Sequence, residues 1–381
     1  MVSIKAYKAI GDGIADDTAA IQAAFDSDER DIEIPDGEYR TTETLKLPSH
    51  KHIHASENAR LIFRPDRPLT QKDFLLSNAD TEDGNEDITV EGGVWDGGRG
   101  GVYNVKSPNL FEINSCSGAC LNFVRVKHLK LLNFIVANPI AFYVRMGMLR
   151  DFEIRNIGFS GEKQAPNQDG LHFSGQVYDG VVENIRALTV GQTNDDLIAL
   201  NADDSTVRAD NRGLICGPIE NIVFRNLYAD DCHTAVRLAS ITSPIRNITF
   251  ENLYAGCRCY AINMDAARYC RTPMFRDADA PFGVGCIENV TFRGLRVFFT
   301  KNAHQTGSLI CAESNADGFR ITGFERIMEK DALPQVPTLL ARNLAKVKIT
   351  ADENDPVVLN GKEDTCTIPG GFSELSIDSA R

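Results

Sequence analysis

The sequence lacks a long apolar run and lacks the cysteine spacings of common zinc sites. No run in its 381 residues approaches eighteen consecutive apolar residues, which excludes a transmembrane helix. The ten cysteines contain no Cys-x-x-Cys pair and no Cys–His spacing of the kind that binds zinc. A chain of this length needs no disulfides to stay folded. We therefore expect mostly buried free thiols, with disulfides in an oxidising compartment as the alternative.

Positively charged residues are also fewer than negatively charged ones. The chain has 40 Lys and Arg against 53 Asp and Glu, a formal net charge of -13 at pH 7. A negative field disfavours attraction to nucleic acid and to anionic membranes, so we expect neither as a partner. The opening residues, MVSIKAYKAIGDG, lack the apolar segment of a signal peptide. This indicates either a cytoplasmic protein or a secreted one whose leader has been removed.

Long amphipathic helices are missing between the β-rich segments, which excludes a fold of alternating strands and crossover helices. From about residue 80 the chain is a series of short strand-like runs, three of which share the pattern Asn-Ile/Val-x-Phe-x-x-Leu. Asparagines of this pattern and of a related run stand at Asn184, Asn221, Asn247 and Asn289. About two dozen residues make one coil of a parallel β-helix, and Asn suits its repeated left-handed corner. The shortest interval fits one such coil, and the longer ones fit a coil with an inserted loop.

We therefore predict an all-β chain that forms a single-stranded right-handed parallel β-helix with an N-terminal capping helix. A β-propeller is the alternative, but the hairpin turns that it needs, such as Asn-Gly, are few here. The helix is expected at Ala19–Phe25, where Ile21, Ala24 and Phe25 share one face that can cover the open end of the stack. We expect one domain, 1–381, with a cap region at 1–40, coils that carry the site at about 80–300, and final coils with a C-terminal cap at about 302–381.

Aspartates cluster in two segments whose spacing matches one coil. Asp169 lies in Asn167-Gln168-Asp169-Gly170, and the pair Asp195-Asp196 begins 26 residues later, about one coil, so Asp169 can stack beside that pair. Neighbouring coils are roughly 4.8 Å apart, so the three carboxyl groups can meet on one face, where crowding raises the pKa of one of them. Glycoside hydrolysis uses a carboxylic acid and a carboxylate, about 6.5–9.5 Å apart in inverting enzymes. The alternatives for these residues are a turn, a solvated corner or a calcium site.

These motifs resemble glycoside hydrolase family 28, the polygalacturonases and rhamnogalacturonases of the pectin-lyase-like β-helix superfamily, over roughly residues 1–300. The family's Asn-Thr-Asp-Gly, Gly-Asp-Asp-x-Ile-Ala and Arg-Ile-Lys correspond, the last only in part, to Asn167-Gln168-Asp169-Gly170, Asn194-Asp195-Asp196-Leu197-Ile198-Ala199 and Arg237-Leu238-Ala239. Trp95-Asp96-Gly97 resembles an early coil of the family. The resemblance implies Asp195 as the general acid, with Asp169 and Asp196 positioning and deprotonating the water.

The sequence departs from the family at several places around this motif set. No Gly-His-Gly follows the Asp-Asp pair, and the nearest histidine is His233. The lysine that the family directs toward a substrate carboxylate is Ala239 here, which weakens the prediction of a galacturonate substrate. We predict substrate contacts for Arg237, His233, His172 and Asn167; for the two histidines the alternative is a hydrogen-bonded histidine inside a coil.

Two further features have open interpretations. Trp95, the only tryptophan, can stack on a sugar ring or pack inside the coils. The charged insertion at 203–213, DDSTVRADNRG, is expected to form a loop that walls the cleft, and an unstructured surface loop is the alternative.

The leading prediction is a glycoside hydrolase of inverting type that acts on a pectin-like or related polysaccharide or oligosaccharide without a metal or other cofactor. A β-helix polysaccharide lyase is a second possibility, because the same acids can bind calcium. A non-catalytic carbohydrate-binding β-helix, of the tailspike kind, is a third. A carbohydrate is the expected partner in all three.

Overall fold

The structure is a computed structural model that describes residues 1–67, 69, 73–98, 119–139, 141–165, 167–204, 213–265, 283–304, 307–352, 354–361 and 364–379. Within these residues lie 28 strands, one α-helix and one short 3-10 helix. The helices are α1 at Thr18–Phe25 and the 3-10 turn at Ile4–Tyr7. The predicted all-β parallel β-helix is confirmed.

The strands are numbered in chain order. Those of the first coils are β1 Val2–Ser3, β2 Asp12–Asp16, β3 Asp31–Ile34, β4 Gly37–Thr41, β5 Leu45–Leu47, β6 Lys51–Ala55, β7 Ala59–Phe63, β8 Leu76–Asn78, β9 Asn85–Glu91 and β10 Val94–Asp96. The central ones are β11 Leu121–Val124, β12 Val126–Ala137, β13 Val144–Gly147, β14 Arg150–Ser160, β15 Leu171–Ser174, β16 Val177–Ala187, β17 Asp196–Asn201, β18 Ile219–Ala239, β19 Ile245–Met264 and β20 Ile287–Phe299. The last are β21 Ile310–Ala312, β22 Ala316–Asp317, β23 Phe319–Arg326, β24 Leu339–Arg342, β25 Lys346–Ala351, β26 Val357–Asn360, β27 Thr365–Ile368 and β28 Glu374–Ser379.

Parallel pairing arranges the strands in three stacks, each of which forms one face of the solenoid. The first face contains β1, β3, β6, β9 and the opening parts of β12, β14, β16, β18, β19 and β20. The second face contains β2, β4, β7, β10 and later parts of the same long strands. The third, called the site face below, contains β5, β8, β11, β13, β15, β17, the ends of β18 and β19, β21 and β24.

The repeated apolar positions of the sequence motif stack directly on one another inside the solenoid. Phe224, Phe250 and Phe292 are register partners in successive coils, and neighbouring rings lie 4.6 and 4.4 Å apart between centroids. All three are buried. Because side chains alternate along a strand, the neighbours of each phenylalanine in its own strand point outward. The inward-pointing side chains of successive coils form a continuous core column.

Residues with left-handed backbone conformation form two ladders along the corners of the solenoid. The spacing of the sequence motif assigns Asn184 to the wrong one of these ladders. Asn221, Asn247 and Asn289 follow one another with amide hydrogen bonds of 3.0 and 2.9 Å. Asn184 instead accepts a hydrogen bond from Asn226, in the second ladder. The prediction that Asn184 shares the position of Asn221 is therefore wrong, because each coil carries two left-handed residues and the sequence pattern alone does not tell them apart.

The two ends of the chain are built differently from the coils. The predicted helix is present as α1, and Ile21, Ala24 and Phe25 are buried as expected; its capping role stays a prediction. At the other end, β28 pairs antiparallel with β23 and β25, and β27 pairs antiparallel with β24. These antiparallel strands occupy edges that a stack of parallel strands otherwise leaves open. Within the described ranges, no helix has the length and apolar character needed to cross a bilayer.

Several cysteines in the described part of the chain are buried thiols without a disulfide partner. Cys120, Cys232, Cys257 and Cys366 are free and buried. Burial raises the pKa of the Cys120 thiol well above its usual range, so this group stays protonated and behaves as a small apolar side chain. Cys116 and Cys270 lie outside the described residues.

Candidate active site

The structure brings the three predicted aspartates together on the site face. Asp169 directly precedes Gly170 and β15, Asp196 begins β17, and Asp195 stands immediately before it. One oxygen from each carboxyl group lies within 4.8 Å of an oxygen of the other two. The lone acid and the tandem pair therefore share one cluster, called the aspartate cluster below.

The register shows which member of the Asp195-Asp196 pair lies opposite Asp169. Leu171 pairs with Ile198, so the position opposite Asp169 is that of Asp196 and not that of Asp195. The backbone N–H of Gly170 accordingly donates to the carbonyl oxygen of Asp196 at 2.8 Å. Asp169 is thus the equivalent of Asp196, and Asp195 occupies the turn before the strand.

Gly170 allows the close approach of these two coils. A β-carbon at this position would lie 2.5 Å from the carbonyl oxygen of Leu197 and 2.6 Å from the ring of Phe159. Both neighbours are fully buried and cannot move aside freely. Glycine in the Asp169-Gly170 motif is therefore a requirement of packing between the strands that carry Asp169 and Asp196.

Replacement of Gly170 by alanine is expected to destabilise the fold by about 1–3 kcal/mol, because the added methyl group overpacks the coil. Displacement of Asp169 from Asp196 by about 1 Å is expected to lower activity by about 100-fold. Urea unfolding and steady-state kinetics measure the two effects. Gly370→Ala is the matched control, because a β-carbon there meets nothing within 4 Å; equal behaviour of the two variants would contradict the packing argument.

The spacing of the carboxyl oxygens suits a water molecule held between two of them. Hydrogen bonds of about 2.7–2.8 Å from one water to two carboxylate oxygens place those oxygens roughly 4.5 Å apart. One oxygen of each carboxyl group lies within 4.8 Å of the others, which admits this arrangement. This distance is shorter than the separation of about 6.5–9.5 Å between acid and base that most inverting glycosidases show. The inverting stereochemistry therefore stays a prediction.

Asp196 is a member of the cluster whose ionisation is disfavoured. It is buried, with 3% of its surface exposed. Burial raises the pKa of Asp196 well above its usual range, and the neighbouring charges of Asp195 and Asp169 raise it further, against a lowering effect of Arg237. The cluster therefore retains a proton at a pH at which an isolated aspartate has lost it.

Replacement of Asp196 by asparagine is expected to make stability less dependent on pH. A carboxyl group whose pKa is higher in the folded than in the unfolded state favours folding fully below the unfolded-state pKa of about 3.9, and this contribution is lost as pH rises through the folded-state pKa. Asparagine does not ionise, so the variant has no such pH-dependent contribution at position 196. Urea unfolding from about pH 4 to about pH 8 should give a free energy of unfolding that falls less in the variant than in the parent protein. Parallel curves would contradict the raised pKa.

His172 is a buried residue of β15 whose side chain contacts Asp169. Its Nδ1 is 2.6 Å from Asp169 Oδ2, its Nε2 is 3.2 Å from Ser174 Oγ, and its ring stacks on Phe142 at 4.0 Å between centroids. Only 1% of His172 is exposed. These contacts show a buried, hydrogen-bonded side chain, and the substrate contact of His172 stays a prediction. The same contacts hold the Asp169 carboxylate in one orientation.

His233 lies at the open side of the cluster, next to Asp195. Its Nδ1 is 3.6 Å from Asp195 Oδ1, and both side chains are 30% exposed. His304 is a neighbour that the sequence did not indicate, with its ring centroid 6.0 Å from that of His233. It stands much further along the chain, in the region where the repeat pattern loosens, so no local signal connects it to the site.

Arg237 approaches the cluster from the next coil and already has a carboxylate partner. It is the register partner of Ala199 in β17, and its Nε donates to Asp265 Oδ1 at 3.2 Å. Asp265 also accepts a hydrogen bond from Asn263 and is buried. The sequence argument missed Asp265, which follows the end of β19. Its position relative to Arg237 depends on the register between β18 and β19.

Arg258 is a second buried arginine that the sequence did not single out. Its Nη2 donates to the carbonyl oxygens of Gly191 and Thr193, each at 3.2 Å. Its Nε lies 3.8 Å from Asp231 Oδ1. Since Thr193 closely precedes Asp195, Arg258 fixes the turn that presents the Asp-Asp pair.

The remaining predicted features lie close to the site or inside the fold. Asn167 is half-buried in a left-handed backbone conformation, shortly before Asp169. Trp95 is fully buried and donates to the carbonyl oxygen of Gly92 at 3.0 Å, so it packs inside the coils and does not stack on a sugar. Most of the insertion at 203–213 lies outside the described residues. Its first residue, Asp203, is anchored by the backbone N–H groups of residues 241–243.

A polar cavity continues along the site face toward the N terminus. It measures about 920 Å³ and is lined in part by Ser77, Asn122 and Arg145. Arg145 donates to Asn122 Oδ1 at 2.6 Å, and Asn122 donates to Ser77 Oγ at 2.9 Å. Arg145 is also the register partner of His172, so the cavity begins one coil away from the aspartate cluster. A cavity of this size with polar groups on its floor can hold a small hydroxyl-rich ligand.

The aspartate cluster also has the donor type that hard cations take. Three carboxylate oxygens within 4.8 Å can contribute to a calcium site, which needs six to eight oxygen ligands in all. Calcium or a retained proton would relieve the same repulsion between the carboxylates. The geometry therefore admits either acid chemistry or a cation-assisted reaction.

No protein-family model matches the chain. Among curated proteins, 133 residues are 34% identical to plasmin and fibronectin-binding protein A of Streptococcus pneumoniae, which covers 31% of this chain and 18% of that protein. A stretch of 136 residues is 32% identical to the pre-neck appendage protein of Bacillus phage B103, over 35% of this chain and 15% of the phage protein. A third, of 155 residues, is 26% identical to polygalacturonase QRT2 of Arabidopsis thaliana, over 39% of this chain and 33% of the plant protein. The matches span a third or less of these relatives' lengths.

Solved structures match over more of the chain but with low sequence identity. A hyperthermoactive exopolygalacturonase from Thermotoga maritima has a TM-score of 0.55 and 14% identity, over 97% of this chain and 95% of its own. The surface adhesin PfbA of Streptococcus pneumoniae has a TM-score of 0.56 and 14% identity, over 84% of this chain and 79% of its own. These similarities support the right-handed parallel β-helix. At such identities they establish the fold alone, and membership of glycoside hydrolase family 28 stays a hypothesis.

Proposed function

We propose that the protein is a glycoside hydrolase that cleaves a pectin-like or related polysaccharide or oligosaccharide on its site face. The observation that carries the proposal is the aspartate cluster, in which three carboxyl groups from adjacent coils meet within 4.8 Å. A cluster that retains one proton and also offers carboxylates supplies both the acid and the base that hydrolysis of a glycosidic bond requires.

Each aspartate has a distinct role in this proposal. Asp195 is the most exposed member and donates its proton to the leaving glycosidic oxygen. Asp169 and Asp196 hold the water, whose oxygen bonds to the anomeric carbon as the glycosidic bond breaks, and they take up its proton. His172 is a positioning residue for Asp169, and Arg258 positions the turn before Asp195. Burial of Asp196 keeps a proton within the cluster. In the proposed step this proton passes to Asp195, which gives it to the leaving oxygen, and Asp196 is left as a carboxylate that can accept the proton of the water.

The surroundings of the cluster support a substrate rich in hydroxyl groups. Arg237 shares its charge with Asp265, and Ala239 stands where the resembled family has a lysine, so a free uronate gains less here than in a subsite with two unopposed cations. Neutral hydroxyl groups can still accept hydrogen bonds from a guanidinium. Asn167 and His233, at the open side of the cluster, complete the proposed substrate contacts.

A non-catalytic binding function is the second candidate. The specific observation in its favour is the 34% identity of a segment of 133 residues to a streptococcal protein whose name describes plasmin and fibronectin binding. In that case the site face would bind a ligand without chemistry. The buried carboxylates would then destabilise the fold without contributing to catalysis.

Incubation with a panel of neutral, methyl-esterified and acidic oligosaccharides tests the proposal. A hydrolase releases new reducing ends without a rise in ultraviolet absorbance, and addition of EDTA leaves the rate unchanged. A lyase produces an absorbing double bond, and a calcium-dependent one loses activity in EDTA. Tight binding of a panel member without any product would favour the second candidate.

A further inference from the structure

Two histidines lie side by side on the outer surface of the first face, far along the chain from the aspartate cluster. His52 and His54 flank the buried Ile53 in β6, so alternation directs both imidazoles outward. Their ring centroids are 3.6 Å apart. Asp31 of the preceding coil lies beside both rings, with its Oδ1 3.4 Å from His52 Nδ1 and 3.1 Å from His54 Nε2.

A second carboxylate faces the opposite nitrogens of the same rings. Glu91 Oε2 in the following coil is 3.5 Å from His52 Nε2 and 3.9 Å from His54 Nδ1. The other oxygen of Glu91 accepts a hydrogen bond from Asn133 at 2.9 Å, which fixes the carboxylate. Each imidazole thus has one nitrogen toward Asp31 and the other toward Glu91.

This arrangement leaves neutral imidazoles with an electrostatic conflict. A neutral imidazole carries one N–H, so one of its nitrogens presents a lone pair to a carboxylate oxygen. His52 Nε2 is buried and has no hydrogen-bond partner among the described residues. A cation bound between Asp31, His52 Nδ1 and His54 Nε2 removes the conflict, because lone pairs then face the cation and both N–H groups point to Glu91.

The distances match the ligand shell of a tetrahedral metal ion. Ligand bonds of about 2.0–2.1 Å at tetrahedral angles separate neighbouring ligand atoms by roughly 3.4 Å. The separations of 3.1 and 3.4 Å from Asp31 to the two histidine nitrogens agree with this value. A carboxylate beside the outer nitrogen of a ligating histidine, as Glu91 is at 3.5 Å from His52 Nε2, is the common second layer of such sites.

We propose that Asp31, His52 and His54 form a binding site for a divalent transition metal ion of the zinc type, with Glu91 orienting the two imidazoles. Nitrogen and carboxylate donors suit Zn²⁺, and the partial exposure of all three ligands leaves a coordination position for water. Because the ligands come from β3 and β6, the ion would tie two successive coils of the N-terminal part together, with Glu91 of β9 beside them.

The test is a titration of the full chain with ZnCl₂ after treatment with EDTA and removal of the chelator. Isothermal titration calorimetry should show one saturable site, and Zn²⁺ should raise the melting temperature of the protein. His54→Gln and His52→Gln should each weaken binding by more than about 100-fold, and Glu91→Gln by about 10–100-fold. Circular dichroism checks that each variant is folded. We expect folding to be retained, because the three side chains are half-buried and not in the core.

His50→Gln is the matched control, because His50 stands just before β6 in an exposed group with Glu86 and Asp87. Unchanged binding in this variant, together with the losses in the other three, supports the site. The proposal is overturned if no saturable binding occurs, if His54→Gln binds as the parent protein does, or if His50→Gln removes the binding.

Discussion

Replacement of Asp195 by asparagine is expected to lower kcat/KM for oligosaccharide hydrolysis by about 10²–10⁴-fold. Asparagine keeps the size of the side chain but has no proton to give to the leaving oxygen. Asp195 is 30% exposed and lies in a turn, so the variant should fold as the parent protein does. Steady-state kinetics on the best panel substrate, with circular dichroism as a check of folding, measures the effect.

The matched control for this variant is Asp151→Asn. Asp151 is an exposed aspartate in a left-handed backbone conformation, which asparagine adopts readily, and it lies outside the aspartate cluster. We expect it to retain parental activity. Near-parental activity in Asp195→Asn would remove this residue from the proposed mechanism, whatever the control shows.

Replacement of Phe250 by alanine is expected to lower the free energy of unfolding by about 3–5 kcal/mol. Phe250 is buried between the rings of Phe224 and Phe292, which lie 4.6 and 4.4 Å away. Neighbouring coils cannot collapse into the space that the ring leaves, because their backbones are held in register by the parallel ladders. Urea unfolding followed by circular dichroism measures the loss.

The control for Phe250 is Thr249→Ala on the same strand. Thr249 is half-buried on the outer side and leaves no cavity when it is shortened, so its cost should stay below about 1 kcal/mol. A similar loss in both variants would mean that the strand itself, and not the aromatic column, is the source of stability.

The fold could be predicted from the sequence because the solenoid repeats its constraints. Phenylalanine at one interior position of three successive motifs is a pattern that only stacked coils explain well, and Phe224, Phe250 and Phe292 are indeed register partners. The positions of the corner residues were harder to predict from the sequence. Asn184 was grouped with Asn221, although its hydrogen bond is to Asn226, because each coil has two left-handed positions and asparagine serves both.

The acidic part of the site was also predictable, except for which member of the aspartate pair lies opposite Asp169. Asp169 and the Asp195-Asp196 pair recur at about one coil, which brought them together in the structure, and the observed register makes Asp196, not Asp195, the equivalent of Asp169. Repeat spacing predicts which coils are neighbours, whereas the register needs the hydrogen bonds themselves.

Residues that act through another side chain could not be found in this way. Asp265, Arg258 and His304 lie far along the chain from Asp195 and Asp196, and none belongs to a repeated motif. Their proximity follows from insertions of different length between coils. The same holds for Arg145, whose place beside His172 depends on the pairing of β13 with β15.

The most direct test of the account is hydrolysis in oxygen-18-labelled water, with the products analysed by mass spectrometry. The account predicts one labelled oxygen at each newly formed reducing end with the parent protein, and the same product formed about 10²–10⁴-fold more slowly with Asp195→Asn. An unsaturated product without the label, or a labelled product formed equally well by the Asp195 variant, would contradict the claim that the aspartate cluster hydrolyses a glycosidic bond.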